Sequence, residues 1–126
     1  MKGFRQIAVG VVAVLLFFSA VAHGDTWTTK KLTNNAGTSQ YPSIAVDGAN
    51  IYVVWQDYVP WPAGPPEIFF KRSVDGGTTW TTKRLTNNAG ESNFPAIAVD
   101  GANIYVVWHD YTPVNWEIFF KAGILF

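Results

Sequence analysis

The sequence predicts an all-β protein: two four-stranded antiparallel sheets in tandem, preceded by an N-terminal signal-peptide helix. Three observations carry this. Residues 26–58 recur as residues 79–111 at a constant offset of 53, with differences at only six of 33 positions. Each copy divides into short runs rich in Val, Ile, Tyr, Phe, Trp and Thr, separated by Asp/Gly/Asn turns. After residue 24 no segment has the 3.6-residue period of an amphipathic helix.

Taken in order, the chain opens with a basic pair, Lys2 and Arg5, and an apolar run from Ile7 to Ala22 broken only by Gly10 and Ser19. Small residues in Ala20-Val21-Ala22 and Ala22-His23-Gly24 suit cleavage after Ala22 or after Gly24. Residues 1–24 are therefore read as a signal peptide, and 25–126 as two repeats, 25–78 and 79–126. The run falls short of the about 20 residues of a membrane span, and an uncleaved anchor is the alternative. Either way the protein is expected outside the cytoplasm, secreted or on the cell surface.

Removal of Lys2 and Arg5 leaves seven basic residues against nine acidic, a net charge of −2. That balance gives no electrostatic footprint for nucleic acid or an anionic membrane. The chain has no cysteine, so packing and strand pairing must supply its stability. All six tryptophans lie after residue 24.

Within a copy, Ser43–Val46 is the first strand and Asp47–Asn50 the turn that follows. Ile51–Trp55 is the second, apolar on both faces, as a strand covered on both sides would be. Glu67–Arg72 is the third and Thr79–Thr86 the fourth. Four antiparallel strands in about fifty residues is the spacing of a β-propeller blade. In the second copy Glu117-Ile118-Phe119-Phe120-Lys121 repeats Glu67 to Lys71 at an offset of 50, so the three lost residues fall in a loop between strands two and three.

The phase of the repeat predicts a lone fourth strand at Thr26–Thr33, a complete blade, and a last blade without its fourth strand. The lone strand is expected to pair with the third strand of the last blade. Two blades leave apolar faces wet, so either several protomers form a ring, with a trimer favoured, or the chain is part of a longer array.

The turn Ser73-Val74-Asp75-Gly76-Gly77-Thr78-Thr79-Trp80 is a tight hairpin: the Asp75 carboxylate can fold back on backbone N–H groups, and the glycines supply positive φ. Its pattern, with Ser73, Asp75, Gly77, Thr79 and Trp80 at the defining positions, resembles the Asp box of the bacterial neuraminidase repeat. The resemblance implies sialidase-like propeller blades, with Asp75 structural and the Asp box on the face away from any ligand. The ligand face then offers Asp57, Tyr58, Trp61 and Glu67 from one copy, and His109, Asp110, Tyr111, Trp116 and Glu117 from the other.

The family also grips its sugar carboxylate with arginines, one of them two residues before a proline. Gln40 and Asn93 stand there, before Pro42 and Pro95. The expectation is thus a non-catalytic glycan-binding or structural module, since sugar C–H faces stack on Trp and Tyr. A sialidase-like exo-glycoside hydrolase, or an inactive fragment of one, is the alternative. No cofactor is expected, and no catalytic residue is assigned. No metal is expected either, because His109 has Gln56 as its counterpart and the Asp-Gly turns lack alternating oxygen ligands.

Overall fold

The computed structural model describes residues 24–58, 64–112 and 114–125. The signal-peptide segment 1–23 and Trp61 lie outside the described residues. The chain divides into two compact units, residues 1–30 and 31–126. Of the first, residues 24–30 are described, and they carry no helix or strand.

The second unit is all-β, with seven strands: β1 (Thr38–Asp47), β2 (Asn50–Tyr58), β3 (Glu67–Ser73), β4 (Thr81–Arg84), β5 (Ser92–Asp100), β6 (Asn103–Tyr111) and β7 (Trp116–Ile124). They form two antiparallel sheets in sequential order, β1-β2-β3-β4 and β5-β6-β7. The first and second strands of each copy start earlier or run further than the apolar runs alone predict. The polar residues Thr38, Ser39 and Gln40 pair with Tyr58, Asp57 and Gln56 beyond the bulge at Tyr41 and Pro42. The last strand also outlasts the repeat: Ala122, Gly123 and Ile124 pair with Tyr105, Ile104 and Asn103.

One expectation is corrected. Residues 26–33 hold no strand, and β7 stands at the edge of its sheet with β6 as its sole sheet partner among the described residues. A strand forms when a ladder satisfies its backbone groups. β3 already has β4, and residues 26–33 enter no ladder among the described residues.

The core lies between the sheets. Tyr52, Val54, Ile68 and Phe70 of the first sheet meet Ile104, Val106 and Trp108 of the second, with Ile97 and Val99 of β5 packed beside them. Alternation explains the set: residues two apart share a face, so every second side chain of β2 and β3 enters this layer. β2 is buried on both faces from Tyr52 to Asp57.

The turn at Ser73–Trp80 is held by its own side chains. Asp75 Oδ1 accepts from the Thr79 N–H at 2.8 Å and from Ser73 Oγ at 2.8 Å, and Oδ2 accepts from Thr79 Oγ1 at 2.6 Å. Trp80 Nε1 donates to the Gly77 carbonyl at 2.9 Å. Gly76 and Gly77 take φ of 65° and 92°, which a side chain would resist. The Gly76 N–H reaches the Ala49 carbonyl at 3.0 Å, so this turn and the Asp47–Asn50 turn share one end of the sheet. The C-terminal ends of β2, β4 and β6 share the other.

Candidate functional site

At that second end three carboxylates are buried, and each is a hub for the loops. Asp57 Oδ2 accepts from Asn35 Nδ2 at 2.6 Å, Trp55 Nε1 at 2.8 Å and Ser39 Oγ at 3.0 Å. Asp110 repeats the arrangement, accepting from Asn88 Nδ2 and Ser92 Oγ at 2.8 Å and Trp108 Nε1 at 2.9 Å. Thr112 Oγ1 adds a bond to Oδ1 of Asp110. Burial pushes the Asp110 carboxyl up, but its donors, Thr112 foremost and then Trp108, Ser92 and Asn88, outweigh it and hold the pKa below the ordinary value. Glu67 accepts from Arg84 Nη2 at 2.9 Å, from the Asn88 N–H at 3.1 Å and from Thr86 Oγ1.

These bonds place Asp57, Glu67 and Asp110 in the framework under the site, held by donors from within the protein. Each is at most 1% exposed. A buried carboxylate with this many donors orders the loops that supply them. Gly90 tightens the same region, since a Cβ there would stand 1.7 Å from the Tyr111 carbonyl oxygen.

Above the framework runs a row of five rings. Tyr41 meets Phe94 edge-on at 4.6 Å between centroids, and Phe94 meets His109 at 5.9 Å. His109 stacks on Trp116 at 5.1 Å, and Trp116 meets Tyr111 at 5.2 Å. Tyr41, Phe94, Tyr111 and Trp116 are each 40–53% exposed. So β1, β5, β6 and β7 each contribute to one wet aromatic surface. At its Trp116 end lies an open cleft of about 420 Å³, bounded by Pro65, Gly90, Glu91, Tyr111 and Trp116.

Of the residues singled out in the sequence, the structure brings His109, Tyr111 and Trp116 together, with exposed Glu117 next to Trp116 in β7. Tyr58 is exposed, its hydroxyl receiving a bond from Gln56 Nε2 at 3.3 Å. Tyr41 and Phe94 were missed. Both have positive φ, 52° and 53°, at the bulge before Pro42 and Pro95. A left-handed backbone at a non-glycine residue costs about 1–2 kcal/mol, and such strain concentrates where a side chain is aimed at a task. The signal that could have found them is the pair itself: the repeats differ there, yet both keep a ring.

Both described arginines lie off the row. Arg84 is bound to Glu67, and Arg72 borders a groove beside Val74, Thr79 and Trp80 at the opposite end of the sheet. Among the described residues no cluster of His, Asp and Glu is arranged to hold a metal ion.

No family model matches the sequence, and no curated protein does. Solved structures do match in fold. Trypanosoma rangeli sialidase in complex with the inhibitor DANA superimposes with a TM-score of 0.58 at 17% identity, over 71% of this chain and 17% of its own. A mutant of that sialidase displaying trans-sialidase activity gives 0.53 at 16% identity, over 70% and 19%. Zg3597, a family 117 glycoside hydrolase of the marine bacterium Zobellia galactanivorans, gives 0.53 at 15% identity, over 78% and 40%. The two sheets therefore have the fold of sialidase-type β-propeller blades, and the chain spans less than a fifth of the sialidase's length.

Proposed function

We propose that this chain is an exported, non-catalytic glycan-binding module, and that the row Tyr41–Phe94–His109–Trp116–Tyr111 is its sugar platform. The observation that carries the reading is the row itself: five adjoining rings, four of them substantially exposed, on an end of the molecule braced by buried carboxylates. Aromatic faces are the natural partner for the C–H faces of sugar rings, and a polar margin fixes orientation. Glu91, Glu117 and Gln40 are exposed and supply that margin.

The chemistry of the row favours neutral glycans. An anionic sugar would call for a bidentate arginine, and neither the row nor its cleft includes one. A hydrolase reading meets a further obstacle. Glycoside hydrolysis in its common form needs two carboxylates flanking the scissile bond; Asp57, Glu67 and Asp110 are buried among internal donors, which leaves Glu91 and Glu117 as the exposed acids beside the row.

A glycan array carrying neutral and sialylated sugars tests the reading, alongside turnover of a fluorogenic sialoside. The expected result is retention of neutral glycans, loss of that signal in Trp116→Ala, and no turnover. A chain that binds no glycan, or one that hydrolyses the sialoside above background, would overturn it.

A further inference from the structure

β7 is an edge strand with its whole length in water. All nine residues from Trp116 to Ile124 are exposed. Yet Glu117 to Lys121 repeat the residues Glu67 to Lys71 of β3, where Ile68 is 0% and Phe70 8% exposed. At Ile118 and Phe120 the values are 70% and 62%. Besides β6, whose Ile104, Val106 and Trp108 meet Ile68 and Phe70, two neighbours bury the β3 copy. β4 runs along its edge in the register Phe69↔Arg84, Phe70↔Lys83, Lys71↔Thr82 and Arg72↔Thr81. β5, the next strand in the chain, lays Ile97 and Val99 against its face.

The chain holds a second copy of both neighbours. Residues 26–33 read Thr-Trp-Thr-Thr-Lys-Lys-Leu-Thr and differ from residues 79–86 only at Lys31, where Arg84 stands. β1 is the counterpart of β5, and its Ile44 and Val46, the equivalents of Ile97 and Val99, are 63% and 57% exposed. The direction of docking is visible too. Lys121 Nζ donates to the Leu85 carbonyl at 2.6 Å, and Lys71 Nζ donates in the same way to the Leu32 carbonyl. Residues 31–33 thus sit on the first sheet as residues 84–86 sit on the second. They lie on the side of the first sheet that β1 faces, away from β7.

We infer that β7 is completed in trans by residues 26–33 of a second copy of this chain, whose β1 then covers the open face of the second sheet. The pairing seen inside the chain fixes the register: Phe119 opposite Lys31, Lys121 opposite Thr29, and Ala122 opposite Thr28. Glu117 then takes the place of Glu67, receiving Lys31 and Thr33 as Glu67 receives Arg84 and Thr86. Ile44 and Val46 meet Tyr105, Val107, Ile118 and Phe120, as Ile97 and Val99 meet Tyr52, Val54, Ile68 and Phe70. The contact is strand addition at an exposed edge, and it is head-to-tail, so its repetition gives a ring of copies where the rotation closes and an open filament where it does not. It stands independently of the glycan reading.

The chain has no native cysteine, so the register can be read by disulfide trapping. Directly opposed residues of an antiparallel pair lie about 4.5–5.5 Å apart at Cα, within disulfide reach. The full chain carrying Thr28→Cys and Ala122→Cys together is oxidised mildly and run without reductant. Covalent multimers that collapse on reduction are expected. An internal disulfide within single chains, or thiols that stay free, would overturn the inference. Mixing mass-tagged single variants guards against a misfolded double variant. Thr28→Cys should link to Ala122→Cys several-fold faster than to Lys121→Cys, which points to the other face. Equal rates would also overturn it.

Discussion

Glu67-Ile68-Phe69-Phe70-Lys71 and Glu117-Ile118-Phe119-Phe120-Lys121 are one sequence in two places. In β3 the glutamate and isoleucine are buried, and in β7 the same pair is exposed. Nothing in the five residues differs, and even their pairing with β2 and β6 runs in parallel, Trp55 opposite Phe69 and Trp108 opposite Phe119. The difference lies in what stands beside them. Burial in a repeat array is a property of the neighbouring repeat, since each unit presents an apolar face that only the next can cover.

The largest effect that sharpens this comparison is a truncation at equivalent positions. In dilute protein, Ile68→Ala should cost about 3 kcal/mol, the usual scale for deleting a buried isoleucine side chain, and Ile118→Ala within about 0.5 kcal/mol, as at an exposed site. Urea unfolding of each variant measures both. As protein concentration rises and β7 is covered by a second copy, the cost at Ile118 should climb toward that at Ile68. A gap that never narrows would leave β7 an open edge.

A smaller effect separates the two buried aspartates. Asp110 has a donor that Asp57 lacks: Thr112 bonds its Oδ1, whereas no donor among the described residues reaches Oδ1 of Asp57. Thr112→Val should therefore cost about 1 kcal/mol and let the Asp110 carboxyl rise toward its ordinary value. The folded pKa is depressed, so its contribution is present at neutral pH and lost on acidification below the ordinary value of 3.8. The variant should lose less stability than the parent between pH 7 and pH 3, as read by urea midpoints at the two pH values. Equal losses would assign the depression to the other donors.

How far the sequence reveals this depends on the length scale of the cause. The strand order, the turns and the double-sided burial of β2 follow from the offset of 53 and from local alternation. Tyr41 and Phe94 do not. A residue before proline is biased toward extended backbone, and the positive φ that turns each ring outward comes from the bulge opposite β2 and β6. The fates of Asp57, Glu67 and Asp110 are equally hidden. Acids beside loops read as ligand contacts, and only the fold brings Asn35 and Asn88 back across 22 residues to engage Asp57 and Asp110. The strand expected at residues 26–33 rests on their repeat of residues 79–86, yet they enter no ladder within the described chain, where β7 keeps an open edge.

The smallest effect is at the end away from the rings, where the copies part. Asp75 closes its turn in the first copy, while Leu125 follows the last strand of the second and its N–H reaches the Ala102 carbonyl at 2.9 Å. Bonds from the Thr79 hydroxyl, the Thr79 N–H and the Ser73 hydroxyl lower the Asp75 pKa from 3.8 to about 2. Its contribution is complete above pH 3.8 and lost as pH falls through about 2. Asp75→Ala should lower the melting temperature at pH 7, and the difference from the parent should close near pH 2. A difference that persists there would mean that the carboxylate's charge is not what holds the turn.

Calorimetric titration of an array-selected neutral glycan bears most directly on the sugar platform. It compares the parent with Tyr41→Ala and Trp116→Ala, one from each end of the row, and with Trp80→Ala at the opposite end of the sheet. Both row variants should bind at least tenfold more weakly, about 1.4 kcal/mol or more, while Trp80→Ala binds as the parent does. Unchanged affinity in the two row variants, or equal loss in all three, would contradict the assignment of these rings as the binding surface.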